Sequence, residues 1–309
     1  MWFPKEDWKI SSGLIGGTMA EMELKIIATR SGRLSSFLRE ELQMSAGLMN
    51  RLKWQELLFV NGEPQHTDYP VAPGDVITVP LNEPAPDYPA EAGELTVLYE
   101  DDHILAVDKP AGMLIHPSRS RLTGTLANRV VGYYETTGQR CAFHPLTRLD
   151  RDTFGVVLLA KNAHIHALLN RLHEDGGFQK IYHALVFGGP QEDGGVIDDP
   201  IARCPLPSLL RQVHPEGKPS RTEFSVLERG DSVTKLALRP ITGRTHQLRV
   251  HCAHRGFPIL GDPQYGSPES IEFSAKLGYT TQLLCAKELT FSHPVTGAPI
   301  TIHSELDVP

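Results

Sequence analysis

An α+β fold, in which a mixed and largely antiparallel central sheet with flanking helices follows a small α/β module, is what this sequence predicts. Three observations lead there. The chain has 309 residues, more than one small domain takes. Residues 82–94, NEPAPDYPAEAGE, are rich in Pro, Glu and Ala and lack periodicity, the pattern of a semi-extended linker. Beyond them, strand-like runs adjoin one another more often than they alternate with helices, which disfavours a doubly wound sheet. The expected organisation is an N-terminal extension over 1–20, a compact module over 21–81, the linker over 82–94 and a large unit over 95–309.

In the module, residues 23–28 (ELKIIA) are short and β-prone. Arg33 opens a helical pattern in which Leu34, Phe37, Leu38 and Leu42 share a face, and Ser45 is placed to cap a second helix carrying Leu48 and Leu52. Asn61-Gly62 supplies the positive φ values of a tight hairpin, and Pro73-Gly74-Asp75 leads into the strand VITV. In the larger unit, LTVLYEDDHILAVDKPAG and VVLLAKN read as strands, AHIHALLNRLHED as a helix and KIYHALVFG as a strand. RTEFSVLERGDSVTKLALRP reads as two strands about a turn at Gly230-Asp231, and THQLRVHCAHRG as a helix ended by Gly256.

With 40% hydrophobic and 22% charged residues, the chain has an ordinary globular composition. Its formal net charge of −7 argues against a protein coated in nucleic acid, so any RNA site has to be a local patch. RPITGRTHQLRVHCAHRG qualifies, with Arg239, Arg244, Arg249 and Arg255, three histidines and no acid. A weaker stretch runs from Arg203 through Arg211 and Lys218 to Arg221. Cys141, Cys204, Cys252 and Cys285 lie far apart without a CxxC pair, which suggests neither a zinc ribbon nor a disulfide framework and fits a cytoplasmic setting. No segment approaches the roughly 18 consecutive apolar residues of a membrane span, and the N-terminus does not read as a secretory signal. The absence of GxxxxGKS/T and GxSxG removes support from ATP use and serine hydrolysis. His246, His251 and His254 do not match HExxH, and no Cys or carboxylate in their helix completes a ligand set, so no metal is expected.

Chemistry concentrates in HPLTRLDRDTFGVVLLAKN, where Arg148, Asp150, Arg151 and Asp152 crowd a polar turn just before a buried-looking strand. A carboxylate held there is a candidate nucleophile or general base if something nearby keeps it ionised. The same residues also suit a surface turn with ion pairs, and residue type alone leaves both readings open.

In order along the chain, DKPAGMLIHPS, RLDRDTFG, KIYHALV, GKPSRTEFSVLE and GRTHQLRVHCAHRGFPILGDPQYG resemble the motifs of the RluA-type RNA pseudouridine synthases, over residues 95–303. RLSSFLREEL, RLKWQELLFVNG and VAPGDVITV resemble the small RNA-binding S4 domain, with Glu40, Glu41 and Glu56 diluting its basic face. The first resemblance implies Asp150 as catalytic aspartate, Tyr182 as the tyrosine that packs on the target base, and Arg249 as the partner of the carboxylate. It implies that Arg148 helps hold the RNA with its target nucleotide flipped out and that Lys109 and His116 border the cleft as RNA contacts; Arg244 and His246, in the basic stretch RPITGRTHQLRVHCAHRG, are further candidate RNA contacts. The second implies RNA contacts at Arg33, Arg51 and Lys53. Thr147 stands where many relatives carry His, and Phe154 where they carry a small Ser or Thr. Gly261, Asp262 and Tyr265 read as a structural turn.

The implied reaction breaks the N1–C1′ bond, turns the uracil and joins C5 to C1′. No electron is gained or lost, so no cofactor is expected. An ionised carboxylate can attack the sugar, attack the ring or remove the C2′ proton, and the sequence leaves the three open. An adjacent arginine favours the charged carboxylate, a tyrosine offers a stacking face, and a paired base must be flipped out to be reached. The expected arrangement is a monomer acting on structured RNA, ribosomal ahead of transfer RNA. Two other classes compete. A catalytically silent RNA-binding or assembly factor predicts loss of Asp150, Tyr182 or Arg249, and all three are present. A carboxylate-based nucleosidase needs a second acid, for which Asp152 is the near candidate.

Overall fold

The structure, a computed structural model, describes residues 9–15, 18–81, 83, 88–118 and 121–309. Residues 1–8 and 16–17 of the expected extension, and 82 and 84–87 of the expected linker, lie outside the described residues. The N-terminal part is a five-stranded antiparallel sheet in the order Lys9–Ile15, Thr18–Ile27, Val76–Pro80, Phe59–Val60, Glu63–Pro64. Lys9–Ile15 pairs with Thr18–Ile27, so this stretch of the extension belongs to the sheet. The expected helical face forms, as a turn over Leu34–Ser36 that widens to a π-type turn over Phe37–Glu41. Ser45 caps the helix Ala46–Trp54, its Oγ accepting from the Leu48 amide at 3.2 Å. Leu34, Phe37, Leu38, Leu42, Leu48 and Leu52 bury against Leu24, Ile26, Ile77 and Val79 in a core of their own.

The remainder is built on a ten-stranded sheet. Its main path runs Gly194–Asp198, Arg221–Arg229, Val233–Pro240, Gln179–Phe187, Leu284–Ser292, Phe154–Ala160, Ile104–Lys109, Thr96–Glu100. Pairing is antiparallel except between Phe154–Ala160 and Leu284–Ser292. The central strands are covered on both faces, which explains their continuous apolar runs. Ala106, Val156 and Leu158 point to helix Ala163–Glu174, and Leu105, Val107, Val157 and Leu159 to helix Leu126–Thr136.

Several elements go beyond the sequence reading: helices Leu126–Thr136 and Pro268–Lys276, strands Gly194–Asp198, Leu284–Ser292 and Pro299–His303, and the hairpin Ile201–Arg203 with Arg211–Val213. The part of the 82–94 segment from Tyr88 onward is irregular, yet it is tied down. The Glu91 carboxylate accepts from the Gly124 amide at 2.9 Å, and the Pro89 carbonyl accepts from Asn128 at 2.8 Å. Between the two parts, Glu83 accepts from Arg51 at 2.9 Å and meets His144 at 2.7 Å, and Arg171 donates to Gln43 at 2.7 Å. Among the described residues no helix is long and apolar enough to cross a membrane.

Candidate active site

Three neighbouring strands set the site. Phe154–Ala160 and Gln179–Phe187 flank Leu284–Ser292, and one register level aligns them: Ala286 lies beside both Gly155 and Tyr182. Asp150, in the turn that feeds the first strand, and Tyr182, on the second, therefore open into one cleft of about 480 Å³. Gly155 is required for the close parallel approach. Its φ is +106°, and a side chain there would strike the Ala286 carbonyl. A register shift between Ile181 and Tyr182 breaks the strict alternation of the strand just where the tyrosine has to be aimed.

Arg249 enters from helix Gln247–His254 and is only 4% exposed. Its Nη1 donates to Asp150 Oδ2 at 3.0 Å, Nε and Nη2 grip Asp262 at 2.7 and 2.8 Å, and Nη2 also donates to Gln264 at 2.7 Å. The Tyr265 ring lies 4.9 Å from the guanidinium carbon. Burial works against the arginine's charge, but Asp262 and then Asp150 outweigh it and hold its pKa above the ordinary value. Asp262 is fully buried, and its other task is to accept from the Gln264 and Tyr265 amides at 2.9 and 3.2 Å. Gly261, at φ +73°, gives this turn its shape. Asp262 and Tyr265 thus belong to the site, beyond the turn that the sequence suggests for them, and Gln264 joins them. The signal available was the run of polar residues in GDPQY, 13 residues beyond the arginine that Asp262 holds.

The Asp150 carboxyl, about a third exposed, faces the cleft. Burial, and then the nearby Asp150, push the Tyr182 hydroxyl up to about 12, so it stays protonated and neutral. Arg148 lies exposed at the cleft wall, and Arg244 lines the same cleft while its Nε donates to the Pro219 carbonyl at 3.1 Å. His246 also lines it. His116 is half-buried, its ring edge-on to Phe143 at 5.3 Å, with its pKa lowered first by burial and then by Arg148.

Lys109 is a correction. It is fully buried, and its ammonium donates to the carbonyls of Pro110, Met113 and Arg151 at 3.0, 2.9 and 2.9 Å, so it pins the loop behind Asp150 and presents no donor to RNA. Burial draws its pKa down to about 8 against the pull of Asp152 and Asp150. Asp152 is clamped by Arg151 at 2.9 Å and does not line the cleft. Thr147 forms part of the cleft wall while its hydroxyl accepts from the Leu158 amide at 3.2 Å, and Phe154 packs away into a cluster with Leu185 and Leu260. His251 is taken up by Thr222 and the Asp199 carbonyl at 2.9 and 3.0 Å. Among the described residues, no group of three or more His, Cys, Asp or Glu is placed to hold a metal ion.

On the N-terminal sheet unit, Arg33 is exposed, Arg51 is engaged by Glu83, and the Lys53 ammonium sits 6.0 Å from the Trp54 ring.

A cleft in a mixed sheet, with a carboxylate paired to a buried arginine and a tyrosine beside it, has the arrangement of an enzyme active site. The chain belongs to the RNA pseudouridylate synthase family. The family model described as RNA pseudouridylate synthase matches residues 103–254. The uncharacterized RNA pseudouridine synthase YjbO of Bacillus subtilis is 36% identical over 86% of this chain and 93% of its own length. Ribosomal large subunit pseudouridine synthase C of Vibrio cholerae is 32% identical over 89% of this chain and 90% of its own. Among solved structures, human RNA pseudouridylate synthase domain containing 1 superimposes with a TM-score of 0.57 at 28% identity, over 69% of this chain and 85% of that one.

Proposed function

We propose that this protein isomerises uridine to pseudouridine in structured RNA, with large-subunit ribosomal RNA as the favoured substrate. The observation that carries the reading is the Arg249–Asp150 ion pair at 3.0 Å on the floor of the cleft. Arg249 is itself locked by Asp262, so it stabilises the carboxylate without moving to meet substrate. Asp150 supplies the carboxylate chemistry. Tyr182, held neutral, offers its ring to a detached uracil and keeps water from the intermediate. Arg148, exposed at the wall, is suited to fill the gap left by a flipped nucleotide or to bind phosphate. The preference for ribosomal RNA rests on relatives named as large-subunit synthases and on the N-terminal unit. We read that unit, over 21–81, as an S4-like RNA-binding domain, with Arg33 an exposed cation on it. The rest of the proposal is a monomer working in the cytoplasm.

Neither competing class gains support. A silent RNA-binding factor has no need of a doubly anchored Arg249, and a nucleosidase lacks its second acid because Asp152 is held by Arg151. The test is tritium release from C5-labelled uridine in ribosomal and transfer RNA taken from a host lacking this protein. Release from ribosomal RNA is expected. Release from transfer RNA alone would overturn the substrate preference, and release from neither would overturn the activity.

A further inference from the structure

His246 sits at the reacting carboxylate in a way that an RNA contact does not require. Its backbone is left-handed (φ 58°, ψ 18°), immediately before the helix that carries Arg249. For a residue with a Cβ this conformation is strained and persists only where the surroundings hold it. Its Nδ1 lies 2.8 Å from the Tyr265 hydroxyl, which also accepts the Arg211 amide at 2.9 Å. Locked along that edge, the ring turns Nε2 towards Asp150 Oδ1, 3.8 Å away. The two carboxylate oxygens therefore differ: Oδ2 is bound by Arg249, and Oδ1 faces His246.

We propose that His246 is the proton acceptor that unloads Asp150 in each catalytic cycle, an inference that rests on Asp150 being the catalytic carboxylate. Once C5 has bonded to C1′, it still carries its original hydrogen. Oδ1 takes that proton, the C–H electron pair forms the C5–C6 double bond, and the C6–N1 double bond left when C5 bonded to C1′ opens onto N1. The carboxylic acid then passes the proton to the Nε2 lone pair, Asp150 is again a carboxylate paired with Arg249, and the imidazolium loses its proton to solvent. N1, freed from C1′, takes one proton from solvent, so one proton leaves and one enters. Nε2 can accept only if the ring's own proton is on Nδ1. The Tyr265 oxygen has the two lone pairs needed to receive both that N–H and the Arg211 amide. Burial, Arg249 and Arg211 disfavour the imidazolium, while Asp150 and Asp262 favour it; the balance lowers the pKa below its ordinary value and leaves a neutral base at pH 7. The gap of 3.8 Å is of the kind that closes in a substrate complex.

Multiple-turnover isomerisation and C5-tritium release, measured across pH on an RNA that the wild type modifies, test this. His246→Gln is expected to lower kcat about 10²-fold or more with little change in KM. It should also remove the loss of rate expected of the wild type as pH falls through the histidine range. His246→Ala is expected to regain rate with added imidazole, which decides the matter if the Gln variant misfolds. An H246Q enzyme with wild-type kcat and pH profile, or one defective only in KM, overturns the proposal, as does His246→Ala without imidazole rescue. Unchanged release by Asp150→Asn would instead sink the Asp150 assignment on which it rests.

Discussion

The cleft and the N-terminal sheet unit are both sites where basic residues were expected to meet RNA, and they use their cations differently. In the cleft, Arg249 is 4% exposed and held by Asp262, Gln264 and Asp150, leaving it a single role. In the N-terminal unit, Arg33 stands in solvent, Arg51 is engaged by Glu83, and Lys53 lies beside Trp54. A buried cation is costly unless carboxylates surround it, so it comes with a constellation of fixed residues. An exposed one needs no such company and can be exchanged with little consequence to the fold.

If that contrast holds, the largest effect belongs to Arg249→Met, which leaves Asp262 buried without its partner. A loss of about 3–5 kcal/mol in urea unfolding is expected, together with loss of isomerisation. Lys109→Met comes next. It strands the Pro110, Met113 and Arg151 carbonyls, at about 1–3 kcal/mol for each that stays buried, and should leave RNA affinity unchanged. Weaker RNA binding at unchanged stability would restore Lys109 to the RNA surface.

A middle-sized effect is expected with pH. Burial lowers His164, on the helix Ala163–Glu174, to about 4, and its ring nitrogens have no hydrogen-bond partner. Between pH 6.5 and 4 the unfolded chain binds a proton that the folded chain refuses. This residue's contribution is thus whole above 6.5 and is lost at roughly 1 kcal/mol per unit as pH falls. His164→Leu should flatten the stability–pH curve in that window, and an unchanged slope would assign acid sensitivity elsewhere. The smallest effect is expected for Arg33→Ala and Lys53→Ala. Each phosphate contact removed should lower the salt slope of RNA binding by about 0.7–0.9 while kcat stays the same. A fall in kcat would erase the distinction between the two regions.

What the sequence disclosed follows the same division. Asp150, Tyr182 and Arg249 stand in long motifs, and the fold brings all three to one cleft. The strand VVLLAKN and the Ser45 cap were legible because each follows from local patterning. Asp262 was read as turn chemistry, since a Gly-Asp pair is common in turns and its grip on Arg249 exists only once strand and helix are packed. Lys109 was misassigned for the converse reason: a lysine in a turn defaults to solvent, and only tertiary structure brings three carbonyls to it. Helix Leu126–Thr136 escaped notice because a Gly and two adjacent Tyr interrupt its pattern, and its capping Thr125–Asn128 pair is a weak signal without the helix it starts.

The central claim is that Asp150, paired with Arg249, carries the isomerisation. Its most direct test is C5-tritium release by Asp150→Asn beside the wild type, on ribosomal RNA that the wild type modifies, with folding and RNA binding checked in parallel. The account predicts a folded, RNA-binding variant that releases no tritium; a folded variant that releases it at close to the wild-type rate would contradict it.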